Sequence, residues 1–195
     1  MKLLSYFSFL IAVAVLCGCT KKLIGKVQPT EIKIMSYNIH HANPPSKPGL
    51  IDIEAIANTI AKENPDLVAL QEVDVNTKRS GYTNQAKALA EKLKMEVFFA
   101  KAIDHDGGDY GVAVLSKFKI IDTATFRLPS VQSLKGEPRI LALATILLPN
   151  GKKLSFGSTH LDSQKAETNR LMQAKELAAI AEKQSLPFIM AGDWN

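Results

Sequence analysis

The chain has 195 residues, 46% of them apolar, 22% charged and 7% aromatic. Those proportions exclude a disordered or collagen-like chain and fit one medium domain, or part of a larger one, long enough to bury a sizeable core. The net charge of +5 permits an anionic substrate without establishing nucleic-acid binding.

In chain order, Lys2 and the nearly apolar run Leu3–Leu16 read as the charged and hydrophobic parts of an export signal. The run is shorter than the ~20 residues that a spanning helix needs. Leu16-Cys17-Gly18-Cys19 then resembles a bacterial lipobox; the alternative is an ordinary secretory signal with incidental cysteines. The resemblance implies cleavage after Gly18, lipidation of Cys19 and anchoring to a membrane of the bacterial cell envelope, on its periplasmic or outer-surface face. Several acyl chains anchor firmly where one binds only marginally. With Cys17 lost and Cys19 blocked, no disulfides are expected, so the fold must rest on packing. Residues 20–30, TKKLIGKVQPT, read as a basic tether over an anionic membrane or as a solvated leader. The expected organisation is a signal peptide over 1–18, the lipidated Cys and tether over 19–30, and one domain over 31–195.

Within that domain strands alternate with helices. Ile32–Asn38 favours β-structure; Ile53, Ile56, Ala57 and Ile60 recur at helical spacing behind Asp52 as N-cap, and Asn64-Pro65 ends that helix. Asp66–Val73 is a mostly apolar run of strand length, and Ala86, Leu89, Ala90 and Leu93 mark a second helix. Val97–Ala100 and Gly111–Leu115 are strands separated by a loop over Asp104–Asp109. Ile140–Leu148 and Lys152–Thr159 flank Pro149-Asn150-Gly151, a hairpin signal because Asn-Gly accepts positive φ. A helix is expected over about Gln164 to Lys183 by its stripe of Leu171, Ala174, Leu177, Ala178 and Ala181, and Pro187–Ala191 is a last strand. A hairpin combined with β-α-β units predicts a mixed-sheet α/β domain.

Four apolar runs end in a residue able to do chemistry: Asn38, Glu72, His160 and Asp193. Polar residues at strand ends, rather than scattered over turns, point to one shared crevice.

Met35-Ser36-Tyr37-Asn38-Ile39, Leu70-Gln71-Glu72-Val73, Tyr110-Gly111-Val112-Ala113-Val114-Leu115-Ser116, Ser158-Thr159-His160-Leu161-Asp162 and Gly192-Asp193-Trp194-Asn195 resemble, in order, the motifs of the endonuclease/exonuclease/phosphatase superfamily. The resemblance covers residues 31–195 and implies a two-sheet mixed β-sandwich flanked by helices. It also implies Mg²⁺-dependent hydrolysis of phosphodiester or phosphomonoester bonds, with Mn²⁺ as a substitute. Such a reaction needs a nucleophilic water, a cation on the phosphate oxygens and donors for the developing charge.

Glu72 resembles the principal Mg²⁺ ligand, as suits a hard cation, and Asn38 a residue that assists at the metal or orients Glu72. By itself Asn38 is equally an Asn starting a turn. His160 resembles the phosphate-contacting histidine, with Asp162 as its supporting partner. Asp193 would orient or deprotonate the attacking water; Asn195 would donate to a phosphoryl oxygen or hold the nucleophile. Tyr110 is open between a hydroxyl donor to phosphate and a core tyrosine. Trp194 is expected to pack, Arg139 to face an anion or a neighbouring acid outside the site, and His40, His41 and His105 to lie in loops. Nucleic acid, phospholipid headgroups and inositol phosphates are the substrates the resemblance implies. The family pattern continues to a Ser-Asp-His motif that this sequence lacks. The C-terminal strands are therefore expected to be missing, and the rival expectation is a truncated remnant that binds metal or phosphate without turnover.

Overall fold

One strand is apolar on both of its alternating faces, and burying both dictates a layered fold. That strand, Leu67–Val75, is β2 in a set of eight: β1 (Ile34–Asn38), β2, β3 (Glu96–His105), β4 (Gly108–Ser116), β5 (Lys119–Arg127), β6 (Ile140–Leu147), β7 (Lys153–His160) and β8 (Phe188–Asp193). Among the described residues three α-helices join them: α1 (Ile53–Glu63), α2 (Gln85–Leu93) and α3 (Thr168–Glu182). The computed structural model describes residues 31–195; the expected export signal, the expected lipidation at Cys19 and the expected tether lie outside the described residues.

The strands form two four-stranded mixed sheets, ordered β1-β2-β4-β3 and β5-β6-β7-β8. Val68, Leu70 and Val73 of β2 pack with Ile60 of α1 and Leu89 of α2 on the outside. Leu67 and Ala69 face inward onto Ala144, Ile146 and Phe156 of the second sheet. α3 covers the far side of that sheet, where Leu177 and Ile180 meet Leu141 and Leu161. The result is the helix-flanked sandwich of the expectation.

Each sheet contains one parallel pair, β1 with β2 and β7 with β8. Parallel neighbours require a crossover, and α1 and α3 supply them. Local signals mark α1 well. The Asp52 carboxylate accepts from Ala55 N–H at 2.9 Å, and Asn64 closes the helix in the left-handed region at φ 49°.

Three readings are corrected. The expected loop over Asp104–Asp109 is only a tight turn, because Asp106 and Gly107 both take positive φ, 45° and 81°, the requirement of a type I′ hairpin; His105 pairs directly with Gly108. In the Pro149-Asn150-Gly151 hairpin Gly151 takes positive φ and Asn150 does not. α3 begins at Thr168 and, of the expected stripe, buries Leu177 but leaves Leu171, Ala174 and Ala178 exposed. Leu171 is 58% exposed, whereas Asn169, Gln173, Leu177 and Ile180 turn inward. Two amides replace apolar residues on the buried face because they satisfy a buried carboxylate and its backbone, described below. β5, an edge strand with an almost wholly exposed pattern, carries no apolar run by which to find it.

Candidate active site

The parallel pairs bring their carboxyl ends to one crevice between the sheets. β1 ends at Asn38 and β8 at Asp193, and Asp193 lies in register with His160 at the end of β7. Gly192 makes this approach possible, since a Cβ there would collide with the Thr159 carbonyl and drive β8 away from His160.

Glu72 is aimed by a bulge. Leu70 pairs with Ala113 and Val73 with Gly111, so Gln71 and Glu72 together oppose Val112. Glu72 takes φ 56°, a strained value for a non-glycine residue that turns its carboxylate out of the sheet. Behind it, buried Gln71 donates to Ser158 Oγ at 3.3 Å and ties the two sheets together.

Asn38 joins the walls. Its Nδ2 donates to Glu72 Oε1 at 2.8 Å and to Asp193 Oδ2 at 3.0 Å. Its Oδ1 accepts from His40 N–H at 3.0 Å, which fixes the amide orientation: the reverse would set oxygen against two carboxylates. Burial opposes ionisation of Asp193. The hydrogen bonds from Asn38 and from Asn195 N–H, with the charges of His160 and Arg139, outweigh it and hold this carboxyl below its ordinary range.

His160 is buried beside Arg139, whose Nη1 donates to Nδ1 across a long 3.4 Å and to Glu137 Oε1 at 2.9 Å. A guanidinium only donates, so Nδ1 is the acceptor and the imidazole proton sits on Nε2, 3.9 Å from Asp193 Oδ2. Burial, then the Arg139 charge, holds His160 below its usual range, and the ring is neutral at pH 7. Tyr110 completes this side. Burial and the charges of Glu72 and Glu137 push its phenol up, so the hydroxyl keeps its proton. Tyr110, Arg139 and His160 line a cavity of about 10 Å³, room for one water-sized group.

Asp162 does not support His160. It leaves β7 toward α3, where Asn169 Nδ2 donates to its Oδ2 at 2.5 Å and Gln173 Oε1 accepts from its N–H at 2.9 Å. Asn195 Nδ2 donates to the Leu161 carbonyl at 2.9 Å, and its N–H caps Asp193 Oδ1 at 3.1 Å; it braces Asp193 rather than facing the crevice. Trp194 is 46% exposed instead of packed.

Three groups were not singled out as site residues from sequence. Arg139 has a discoverable signal, a cation at the start of a long apolar strand. His40 and His41 follow Asn38 directly, in a short left-handed turn with Ala42. All three residues have positive φ, 46°, 42° and 55°, at about 1–2 kcal/mol each for non-glycine residues. Buried Gln85 pins the turn by donating to the His41 carbonyl at 2.7 Å while accepting from Asp74 N–H. Arg79 forms a bidentate pair with fully buried Asp74, at 2.7 and 2.8 Å, and lies 5.4 Å over the Tyr110 ring.

The sequence pattern of the Endonuclease/Exonuclease/phosphatase family matches residues 35–195. The chain belongs to this family. Members of the endonuclease/exonuclease/phosphatase family are phosphoesterase hydrolases and generally depend on a divalent metal. An endonuclease/exonuclease/phosphatase from Beutenbergia cavernae DSM 12333 is similar in structure, at 24% identity and TM-score 0.66, over 84% of this chain and 47% of that one. A family protein from Leptotrichia buccalis C-1013-b is similar at 25% identity and TM-score 0.63, over 84% of this chain and 66% of that one. ANGEL2, a 2′,3′-cyclic phosphatase seen in complex with adenosine-2′,3′-vanadate, shares the fold at 17% identity and TM-score 0.61, over 84% of this chain and 53% of that one. The chain thus spans about half the length of the first and last of these. Among curated proteins none matches.

The residues present fit the family's divalent metal. Glu72 Oε1 is held by Asn38, leaving Oε2 directed toward His41 Nδ1, 4.0 Å away. That nitrogen is buried without a hydrogen-bond partner among the described residues, a donor atom awaiting an acceptor of its lone pair.

Proposed function

We propose that this chain carries the centre of a Mg²⁺-dependent phosphodiester hydrolase, with Mn²⁺ able to substitute. The observation that carries the reading is the Asn38 amide spanning Glu72 and Asp193, with His160 opposite Asp193. A divalent ion held by Glu72 would supply Lewis-acid stabilisation of the phosphoryl oxygens. Asp193, ionised and steered by Asn38 and the Asn195 N–H, orients the attacking water and accepts its proton. His160 donates from Nε2 to a phosphoryl oxygen, because Arg139 keeps Nδ1 an acceptor. The Tyr110 hydroxyl is a second donor on the same wall.

The groove beside the proposed metal ligands supports a choice of substrate class. About 360 Å³ lies open between the end of β1 and α1, lined by residues including Tyr37, Pro44, Pro45 and Ile56. No lysine or arginine lines it among the described residues, so it suits a neutral leaving group such as a nucleoside better than a polyphosphorylated inositol. The cyclic-nucleotide analogue held by ANGEL2 supports the same choice. Nucleic-acid fragments therefore rank above phospholipid headgroups, and both above inositol phosphates. We further propose that Cys19 is lipidated and holds the domain to a bacterial envelope membrane, on the lipobox resemblance alone; acyl labelling should vanish in Cys19→Ala, and persistence overturns it.

The test of the reaction is nitrophenol release from mono- and bis-nitrophenyl phosphate by the full chain, with Mg²⁺ or EDTA. Mg²⁺-dependent release is expected, abolished by EDTA and cut at least ~10³-fold in Glu72→Ala. Activity that survives EDTA or Glu72→Ala overturns the metal reading. Saturable phosphate binding with no release under any condition replaces the hydrolase with a non-catalytic binder. RNA, DNA, sphingomyelin and inositol phosphates then rank the substrates.

A further inference from the structure

The turn that follows Asn38 places two imidazoles where phosphoester chemistry by itself asks only for oxygen. One ring nitrogen each from His40 and His41 and one carboxylate oxygen of Glu72 lie within 4.8 Å of one another. Ligand atoms on a single tetrahedral ion with bonds of ~2.1 Å are about 3.4 Å apart, so the cluster closes on an ion by a small adjustment of the three side chains.

Each donor is prepared for that role. The Asn43 carbonyl accepts from His40 Nδ1 at 2.7 Å. This puts the ring proton on Nδ1 and the lone pair on Nε2, the outer hydrogen bond that typically orients a metal-bound histidine. His41 Nδ1 is buried and unpartnered. Asn38 occupies one oxygen of Glu72 and leaves the other free. Neighbouring Arg79 does not defeat a cation here, because its guanidinium is neutralised by the bidentate bond to Asp74. The turn itself is held by main-chain bonds from Ala42 N–H to the Ile39 carbonyl and from Asp52 N–H to the Ala42 carbonyl, 2.9 and 2.8 Å.

We propose that His40, His41 and Glu72 form a mixed imidazole–carboxylate site that binds a borderline first-row divalent ion, Zn²⁺ or Co²⁺, more tightly than Mg²⁺. Imidazole nitrogen suits these ions, whereas Mg²⁺ prefers oxygen ligands and retains its waters. The inference rests on the reading of Glu72 as a cation ligand but requires no turnover.

The test is binding to the metal-free full chain, with Co²⁺ absorption as the readout and Zn²⁺ and Mg²⁺ as competitors. Wild type should bind Co²⁺ with visible bands of nitrogen–oxygen coordination, and Zn²⁺ should displace it where about a hundredfold excess of Mg²⁺ does not. His41→Asn removes the imidazole while keeping a residue that tolerates left-handed φ. It should weaken Zn²⁺ at least about tenfold and Mg²⁺ by a clearly smaller factor, since Mg²⁺ prefers the oxygen of Glu72; His40→Asn should do the same more weakly. Imidazole NMR of wild type gives an arm that needs no variant: Zn²⁺ should move His40 and His41 before His105. Equal affinity for Zn²⁺ and Mg²⁺, or Zn²⁺ that shifts neither ring, overturns the proposal. Loss of Mg²⁺ binding in Glu72→Gln with both histidine variants unaffected overturns the imidazole site alone, whereas full Mg²⁺ and Zn²⁺ binding by Glu72→Gln overturns the cation reading as well.

Discussion

On the first sheet's side of the crevice, Glu72, His40 and His41 present lone pairs; on the second sheet's side, Arg139 and His160 present N–H donors beside Asp193. Both walls arise from the same device, a parallel strand pair with a helical crossover, yet they are finished differently. The first wall is strained. A bulge holds Glu72 at φ 56° and a left-handed turn holds both histidines, so the groups proposed to hold a cation project from backbone that no regular strand would supply. The second wall is regular, with His160 and Asp193 simply in register at strand ends, and its tuning comes from burial, hydrogen bonds and charge. Asn38 is the joint, donating to one carboxylate on each side. Ligands for a cation must converge on a point, which a pleated sheet does not do, whereas donors to a phosphate can be spread over its oxygens.

That contrast can be broken from the second wall first. Asp193→Asn keeps the shape but removes the proposed proton acceptor, and should lower hydrolysis by about 10²–10⁴-fold with Mg²⁺ affinity nearly intact in a binding titration. A parallel loss of Mg²⁺ affinity would mean that the two walls are one metal site. Next comes the joint. Asn38→Ala removes the clamp on both carboxylates, and if the equivalent of one charge-assisted hydrogen bond, about 1.5–3 kcal/mol, is lost from the transition state, a fall in rate of about 10–100-fold is expected, together with a rise of the Asp193 pKa in the pH–rate profile. An unchanged profile would count against Asn38 as the clamp.

A smaller effect separates charge from shape. Arg139→Gln removes a cation that, after burial, depresses His160; the His160 pKa should rise, read by imidazole NMR, while strand register persists. If the His160 pKa falls or stays fixed, the tautomer argument fails. The smallest effect is on stability. His41 is held below its usual range by burial, then by Arg79 and His40, and His160 by burial and Arg139. Above the ordinary value of 6.5 both rings are neutral folded and unfolded, and neither contributes a pH dependence. Below it the unfolded chain takes up protons first, so stability falls until the folded-state values are passed. The urea midpoint should be lower at about pH 5 than at about pH 7.5, with a smaller difference in His41→Asn. Asp193, held low, acts in a separate window: its contribution is present above the unfolded carboxylate value and is lost in stronger acid.

The sandwich was readable because β2 shows apolar residues on both faces and α1 carries its caps at both ends. Edge strand β5 was not, since exposure removes the alternation that identifies a strand. In the site, Asn38, Glu72, His160 and Asp193 stood out at the ends of apolar runs, and the structure brings these four together. Asp162 misled because proximity in sequence suggested a partner for His160, whereas Asn169 and Gln173 of α3 claim it. Those two amides look like ordinary surface residues until a buried carboxylate requires them.

By itself, then, the sequence determined the family, the two-sheet frame and which strand ends carry polar groups toward one crevice, because apolar periodicity and motif order are local properties. Only the tertiary structure decided that Arg139 sets the proton of His160, that Asn38 clamps both carboxylates, and that His40 and His41 face Glu72. Those relations depend on register across sheets and on positive φ at non-glycine residues, and both are imposed by packing rather than by local preference.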